Sequence, residues 1–161
     1  MNNKIAELAE ESINIELNVS EIYFLFHTLF TDDSTFWSEL ALEEQHHATL
    51  IRSGIELFEP VGAFPHKMLS CDLPLLKETN VKLNSIFEQL KKINPSREEA
   101  FNTALDIENS AGELHFQNFQ SKTSLSSFEK TFRQLNENDK DHAERILAYM
   151  KENNIPEQAH Q

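Results

Sequence analysis

The chain has 161 residues, and its 27 acidic against 14 basic side chains give a formal net charge of −13. This length predicts one domain, and the charge argues against a nucleic-acid partner because phosphate binding needs a basic face. The single cysteine, Cys71, excludes a disulfide framework and a zinc or iron site built from four cysteines. No apolar run approaches the roughly 20 residues of a membrane span, and the N-terminus MNNKIAELAEES lacks the apolar core of a secretory signal. We therefore expect no membrane association and a cytoplasmic location.

Three glycines and five prolines are few for a chain of this length, which favours long helices over a β fold. The spacing of apolar residues predicts five helices, over residues 4–31, 35–58, 73–93, 95 to about 120, and 127–153. Asp33 or Ser34 is expected to cap the second helix. Pro95 suits the first turn of the fourth helix, and Ser96 with Glu99 has the spacing of a capping box.

The longest break in the pattern, residues 59–72, lies in the middle of the chain. The first two long helices can form one hairpin and the last two a second, while the middle segment crosses the bundle lengthwise. We therefore predict an all-α fold, a four-helix bundle of two hairpins joined by a long crossover that contains an extra helix. The bundle is expected to be a single domain over residues 1–153, followed by a frayed tail over 154–161.

The two predicted hairpins repeat each other. An offset of 92 residues overlays the first helix on the fourth, and an offset of 95 overlays the second on the last. The matches include polar residues that lie on apolar faces, namely Glu16 with Glu108, Glu44 with Asp139, and His47 with His142. This pattern predicts two copies related by a pseudo-two-fold axis.

Each of the four apolar stripes carries a carboxylate near its middle, and two of them add a histidine three residues later. A buried carboxylate is costly unless it is paired or bound to a cation, and four close together would repel one another. Positions i and i+3 share one helix face, so Glu44 with His47 can reach one metal and Asp139 with His142 a second. Glu16 and Glu108 can then either bridge the two metals or bind one metal each as terminal ligands. Oxygen and imidazole ligands favour iron or manganese, with zinc as an alternative.

A bundle whose acids merely pair with lysine or arginine is the structural alternative, but the stripes carry no basic residue at the neighbouring turns. Two further acid-x-x-His matches are set aside as chance. Glu43 with His46 lies off the apolar stripe, and Glu157 with His160 lies outside any predicted helix.

Two residues near the predicted ligands have open roles. Tyr23 lies two turns from Glu16, roughly 10 Å along the helix axis, which is too far for a metal ligand. It is either a hydrogen-bond partner of the ligands or an electron relay, or else a packed core tyrosine. Ser20 either leaves room for metal or oxidant or lets two helices pack closely.

The sequence resembles the rubrerythrin-type branch of the ferritin-like superfamily from about Ile5 to Met150. Its segment Leu40-Ala41-Leu42-Glu43-Glu44-Gln45-His46-His47 is similar to the family hallmark Leu-Ala-x-Glu-Glu-x-x-His. By the same resemblance, five residues match the family's metal ligands: Glu16, Glu44, His47, Glu108 and His142. Asp139 stands where the family usually has Glu, Ala111 stands where many members have an additional Glu, and Tyr23 matches a family tyrosine.

The resemblance implies a non-haem di-iron redox protein that reduces hydrogen peroxide or O2. The chain shows no paired cysteines of a rubredoxin domain, so the electron donor is expected to be a separate, rubredoxin-like protein. A homodimer is expected. Two alternatives stay open: an iron-binding or ferroxidase protein in iron handling, and a non-catalytic helical interaction protein whose metal site is degraded at Asp139.

Overall fold

A computed structural model describes residues 3–62, 64, 69, 72–112 and 142–158. Its helices are α1 (Asn3–Leu29), α2 (Ser34–Phe58), α3 (Leu73–Ile93), α4 (Arg97–Ile107) and α5 (142–152). The described residues form helices and turns without a strand, which confirms the predicted all-α class. Within those ranges, no helix is long and apolar enough to cross a membrane. The predicted helical residues 113–120 and 127–141 lie outside the described residues, as does Cys71.

The corner between α1 and α2 is a 3-10 turn, Thr31–Asp33, so α1 ends slightly earlier than predicted. Asp33 precedes α2 as expected of its N-cap, but its side chain makes no capping hydrogen bond. The carboxylate instead accepts hydrogen bonds from Arg97 Nε and Nη2, both at 2.7 Å, and from the Tyr149 hydroxyl at 2.9 Å. Asp33 thereby ties this corner to α4 and α5.

The predicted capping box at the start of α4 is confirmed. Ser96 Oγ accepts from the backbone N–H of Glu99, and the Glu99 carboxylate accepts from the backbone N–H of Ser96. Pro95 lies just before the capping residue rather than in the first helical turn. At its other end α4 does not continue as a regular α-helix, because Glu108–Gly112 form a π-helix.

Residues 155–158 lie against α4, which differs from the frayed tail expected there. Asn154 adopts a left-handed conformation with φ of 54°, and the N–H of Ile155 bonds back to the Met150 carbonyl at 2.8 Å. Asn102 donates to the carbonyl of residue 156 at 3.0 Å and accepts from the N–H of Gln158 at 2.8 Å. The left-handed turn at Asn154 directs the chain back onto the helix surface and thereby buries Ile155.

The core lies along α1, which packs against both α2 and α3. Its centre is Trp37, whose ring lies 4.4 Å from Phe101, 5.0 Å from Phe26 and 5.6 Å from Tyr23 between centroids. All four side chains are fully buried. Tyr23 forms the boundary of this aromatic cluster, because its ring packs on Trp37 while its hydroxyl contacts the carboxylate of Glu108.

Candidate metal centre

Five of the six predicted ligands lie together in the interior. Glu16 comes from α1, Glu44 and His47 from α2, Glu108 from the junction of α4 and the π-helix, and His142 from α5. All five residues are at most 7% exposed, and His142 is completely buried. The sixth predicted ligand, Asp139, lies outside the described residues.

Glu44 lies between the two histidines. Its Oε2 atom is 3.1 Å from His47 Nδ1, and its Oε1 atom is 2.9 Å from His142 Nδ1. The two imidazole rings are nearly parallel, with an interplanar angle of 16° and centroids 5.6 Å apart. Both histidines therefore turn the same ring nitrogen toward one shared carboxylate.

Each of the other two glutamates lies near one of the histidines. Glu16 Oε2 is 3.6 Å from His47 Nδ1, and Glu108 Oε1 is 3.8 Å from His142 Nδ1. Two groups of three possible ligands result, and within each group the ligand atoms lie within 4.8 Å of one another. The first group is Glu16, Glu44 and His47, and the second is Glu108, Glu44 and His142.

This geometry differs in one respect from the arrangement that the spacing predicts. Spacing alone assigns Glu44 to the same metal as His47 and leaves Glu16 and Glu108 to bridge or terminate. In the structure Glu44 belongs to both groups. If each group held a metal, Glu44 would be the ligand common to both, while Glu16 and Glu108 would each belong to one group.

The two groups fit divalent cations of the first transition row. Bonds of about 2.1 Å to such an ion place ligand atoms about 3–4 Å apart, and the four nitrogen–oxygen distances above run from 2.9 to 3.8 Å. His142 Nδ1 is buried without a hydrogen-bond partner, so in the neutral ring its lone pair would be available to a metal between Glu44 and Glu108. Carboxylate and imidazole donors suit iron and manganese.

The charge of His142 partly offsets the charge of the neighbouring carboxylates. Burial disfavours the ionised form of Glu44, but contacts with His142 and His47 outweigh it and lower the pKa of Glu44 to about 2. Burial would likewise lower the pKa of His142, yet Glu43 and Glu44 raise it to about 10. An imidazolium ion therefore stabilises the acidic cluster from within, although the apolar stripes carry no lysine or arginine.

Tyr23 is a hydrogen-bond partner of the centre and not only a packed core residue. Its hydroxyl donates to Glu108 Oε1, and its side chain is fully buried. Burial, together with the negative charges of Glu108 and Glu44, raises the pKa of Tyr23 well above its usual value. Ser20 packs α1 closely on α2, because its hydroxyl donates to the Ala41 carbonyl at 2.8 Å.

No protein-family model, curated protein or solved structure matches this chain. The resemblance to rubrerythrins therefore stays a prediction, and the centre is interpreted from its own residues.

Glu43 is a site residue that the sequence pattern missed. Its Oε2 atom accepts hydrogen bonds from His142 Nε2 at 2.7 Å and from Arg145 Nη1 at 2.6 Å. The hydrogen bond from His142, reinforced by Arg145 against the effect of burial, lowers the pKa of Glu43 to about 2. Glu43 lies off the apolar stripe, so the helix pattern alone does not mark it as a site residue. The available signals were its place beside Glu44 and the occurrence of Arg145 one turn after His142, on the same helix face.

Proposed function

We propose that the chain is a ferritin-like four-helix bundle that binds two iron ions and reduces hydrogen peroxide, or O2, with electrons from a separate protein donor. One observation carries the proposal: two buried groups of carboxylate and imidazole ligands share Glu44 as a common member. Dinuclear carboxylate centres commonly share one carboxylate between their two metals, and Glu44, with one oxygen near each histidine, has the placement of such a ligand.

A pair of ferrous ions held by these residues would supply two electrons, enough with two protons to reduce one hydrogen peroxide molecule to two water molecules. The donor then restores the two electrons; we propose a rubredoxin-like protein or a reductase for this role.

The protein's own contribution is to fix the ligands and exclude bulk water. Glu44 directs its two oxygens at different histidines, so it can hold two metal positions at a set separation. In their neutral form, His47 and His142 offer ring nitrogens as metal ligands. Glu16 and Glu108 would each complete one of the two groups as a carboxylate ligand.

Tyr23 supports this chemistry by orienting Glu108. Its raised pKa keeps the phenol protonated at neutral pH, so the hydroxyl always acts as a hydrogen-bond donor to Glu108 Oε1. One oxygen of this terminal carboxylate is thereby held in a fixed direction.

The proposal is tested by anaerobic titration of metal-free protein with Fe(II), followed by addition of hydrogen peroxide. We expect two Fe(II) bound per chain, a prompt increase in near-ultraviolet absorbance, and one peroxide consumed per iron pair. His47→Ala and Glu44→Gln should lose metal and reaction together while circular dichroism shows a folded chain. His46→Ala is the matched control, since His46 is exposed and adjacent to His47 on the same helix.

Other outcomes would contradict the proposal or favour another function for this chain. Full reaction in both ligand variants would contradict the proposed centre. Oxidation of many Fe(II) ions per chain by O2, without peroxide turnover, would assign the site to iron handling. A folded chain that binds one metal or none would favour a helical interaction protein.

A further inference from the structure

Beside the proposed ligands lies a second, smaller cluster made by Glu43, His142 and Arg145. Glu43 belongs to α2, while His142 and Arg145 lie one turn apart on α5. A single oxygen of Glu43, Oε2, accepts hydrogen bonds from both partners, at 2.7 Å from His142 Nε2 and 2.6 Å from Arg145 Nη1. The cluster thus joins α2 to α5 on the side of His142 that faces away from Glu44.

The two nitrogens of His142 therefore have different surroundings. Nδ1 faces the metal-ligand carboxylates, 2.9 Å from Glu44 and 3.8 Å from Glu108. Nε2 faces Glu43. An imidazole that binds metal through one nitrogen carries its proton on the other, and an acceptor for that proton fixes both the tautomer and the ring orientation. Because His142 has no exposed surface, bulk water does not compete with Glu43 for that proton.

Arg145 keeps this acceptor in place. The side chain of Glu43 is 36% exposed, and that of Arg145 is 30% exposed, so an unrestrained glutamate at this position would sample several rotamers. The charge-assisted hydrogen bond from Arg145 restricts it to the rotamer that meets His142. His142 and Arg145 share one helix face, so any shift of α5 moves the ring and the arginine together.

We propose that Glu43, held by Arg145, is a positioning residue that fixes the ring of His142 with Nδ1 directed at the metal position between Glu44 and Glu108. The inference rests on the proposed function, since it names a residue that controls one half of the same centre. It follows that this half depends on Glu43 and that the half formed by Glu16, Glu44 and His47 does not.

The test compares Glu43→Ala with Glu43→Gln in titrations with Mn(II), in which unbound Mn(II) is counted by electron paramagnetic resonance. In Glu43→Ala we expect the affinity of one of two sites to fall roughly 10- to 100-fold, the range seen when such outer partners are removed. The other site should keep its affinity. Glu43→Gln retains an acceptor oxygen and should recover most of the loss. Glu39→Ala, an exposed position one turn earlier on α2, is the control and should bind as the unmodified chain does.

A second readout needs no metal. In 15N-labelled, metal-free protein, the proton on Nε2 of His142 should be protected from exchange with water in the unmodified chain and in Glu43→Gln, and lost in Glu43→Ala. The proton signals of His47 should be the same in all three proteins. A global loss of packing would change both histidines, so this comparison separates positioning from a general structural effect.

The two proposals fail in different ways. Two sites of unchanged affinity in Glu43→Ala, with the ring proton retained, would overturn the positioning role and leave the proposed function standing. Absence of metal binding by the unmodified chain would overturn the proposed function. In that case, retention of the His142 ring proton in Glu43→Ala would also overturn the orienting role of Glu43. Loss of that proton would support the orienting role.

Discussion

At the scale of single residues, Asp33 is the one buried carboxylate outside the candidate metal centre within the described part of the chain. Its side chain is only 1% exposed, and a buried carboxylate is tolerated only when it is paired. Arg97 supplies two hydrogen bonds and Tyr149 a third. The stacked rings of Phe101 and Tyr149, 5.4 Å apart, lie beside this network. Asp33 therefore links the α1–α2 corner to α4 and α5 at the edge of the aromatic core.

Replacing Asp33 with asparagine should destabilise the protein in a way that depends on pH. The hydrogen bonds from Arg97 hold the pKa of Asp33 below its usual value. A carboxyl whose pKa is lowered by folding contributes stability above its unfolded pKa of about 3.9, and loses that contribution as pH falls through the folded pKa. We expect Asp33→Asn to cost about 1–3 kcal/mol at pH 7, as measured by urea denaturation. The gap to the unmodified chain should narrow below about pH 4.

The control is Asp32→Asn, an adjacent and exposed position. Surface substitutions of this kind change the free energy of unfolding by less than about 0.5 kcal/mol. A cost at Asp33 that persists undiminished at pH 3 would show that packing, and not the ionised carboxylate, is responsible.

At the scale of elements, α4 must place Glu108 beside the other possible metal ligands, Glu44 and His142. The regular part of this helix is only 11 residues long, so its ends contribute a large share of its stability. Ser96→Ala removes the acceptor at 3.2 Å from the N–H of Glu99 and should lower the free energy of unfolding by about 1 kcal/mol. Ser85→Ala, an exposed position within α3, should be neutral in the same urea denaturation experiment. Equal stability of both variants would mean that the capping box is not needed in the folded protein.

The sequence predicted those features that depend on local spacing. The capping box of Ser96 and Glu99, the existence of α1 to α4 and the inward direction of Glu44 and His47 all follow from residues within one or two turns of one another. The π-helix at Glu108–Gly112 could not be predicted in this way, because a π-helical turn departs from the 3.6-residue period on which every stripe was drawn. It occurs where a ligand leaves the regular helix, as π-bulges often do at functional sites.

The role of Glu43 was missed for a different reason. Helix periodicity tells which residues share a face, but not how far a neighbouring helix extends around that face. A residue one step along the helix is rotated by about 100°, yet a glutamate is long enough to reach a partner on an adjacent helix from there. Only the observed placement of α5 beside α2 shows that Glu43 reaches His142.

At the scale of the whole molecule, the predicted internal repeat acquires a physical meaning. The residues that the repeat pairs, Glu16 with Glu108 and His47 with His142, belong to different groups of possible ligands, and Glu44 is common to both groups. Each half contributes one terminal carboxylate and one histidine. Glu44 serves both halves, while its own repeat partner, Asp139, lies outside the described residues. Because Glu44 belongs to both groups, its loss should weaken the binding of both metals. Loss of His47 should weaken mainly the binding of the metal in its own group.

Metal binding should also stabilise the entire fold. A ligand that binds only the folded state adds about 2.7 kcal/mol at a concentration 100 times its Kd. A chain of this size gains roughly 2–4 °C in Tm per kcal/mol, so one occupied site should raise Tm by about 5–10 °C in a calorimetric scan with excess Mn(II). The positive charge of His142 offsets part of the carboxylate charge, so we expect the chain to fold before metal is added and to gain stability on binding.

A chain with a net charge of −13 attracts any divalent cation to its surface, so the control must separate the centre from this general effect. Mg(II) carries the same charge, but it prefers oxygen ligands and keeps several of its waters. It should therefore raise Tm far less than Mn(II) at the same concentration. Glu44→Gln should abolish the difference between the two metals, because Glu44 is common to both groups of ligands. Equal stabilisation by Mg(II) and Mn(II), in the unmodified chain and the variant alike, would assign the effect to surface charge and contradict an interior metal centre.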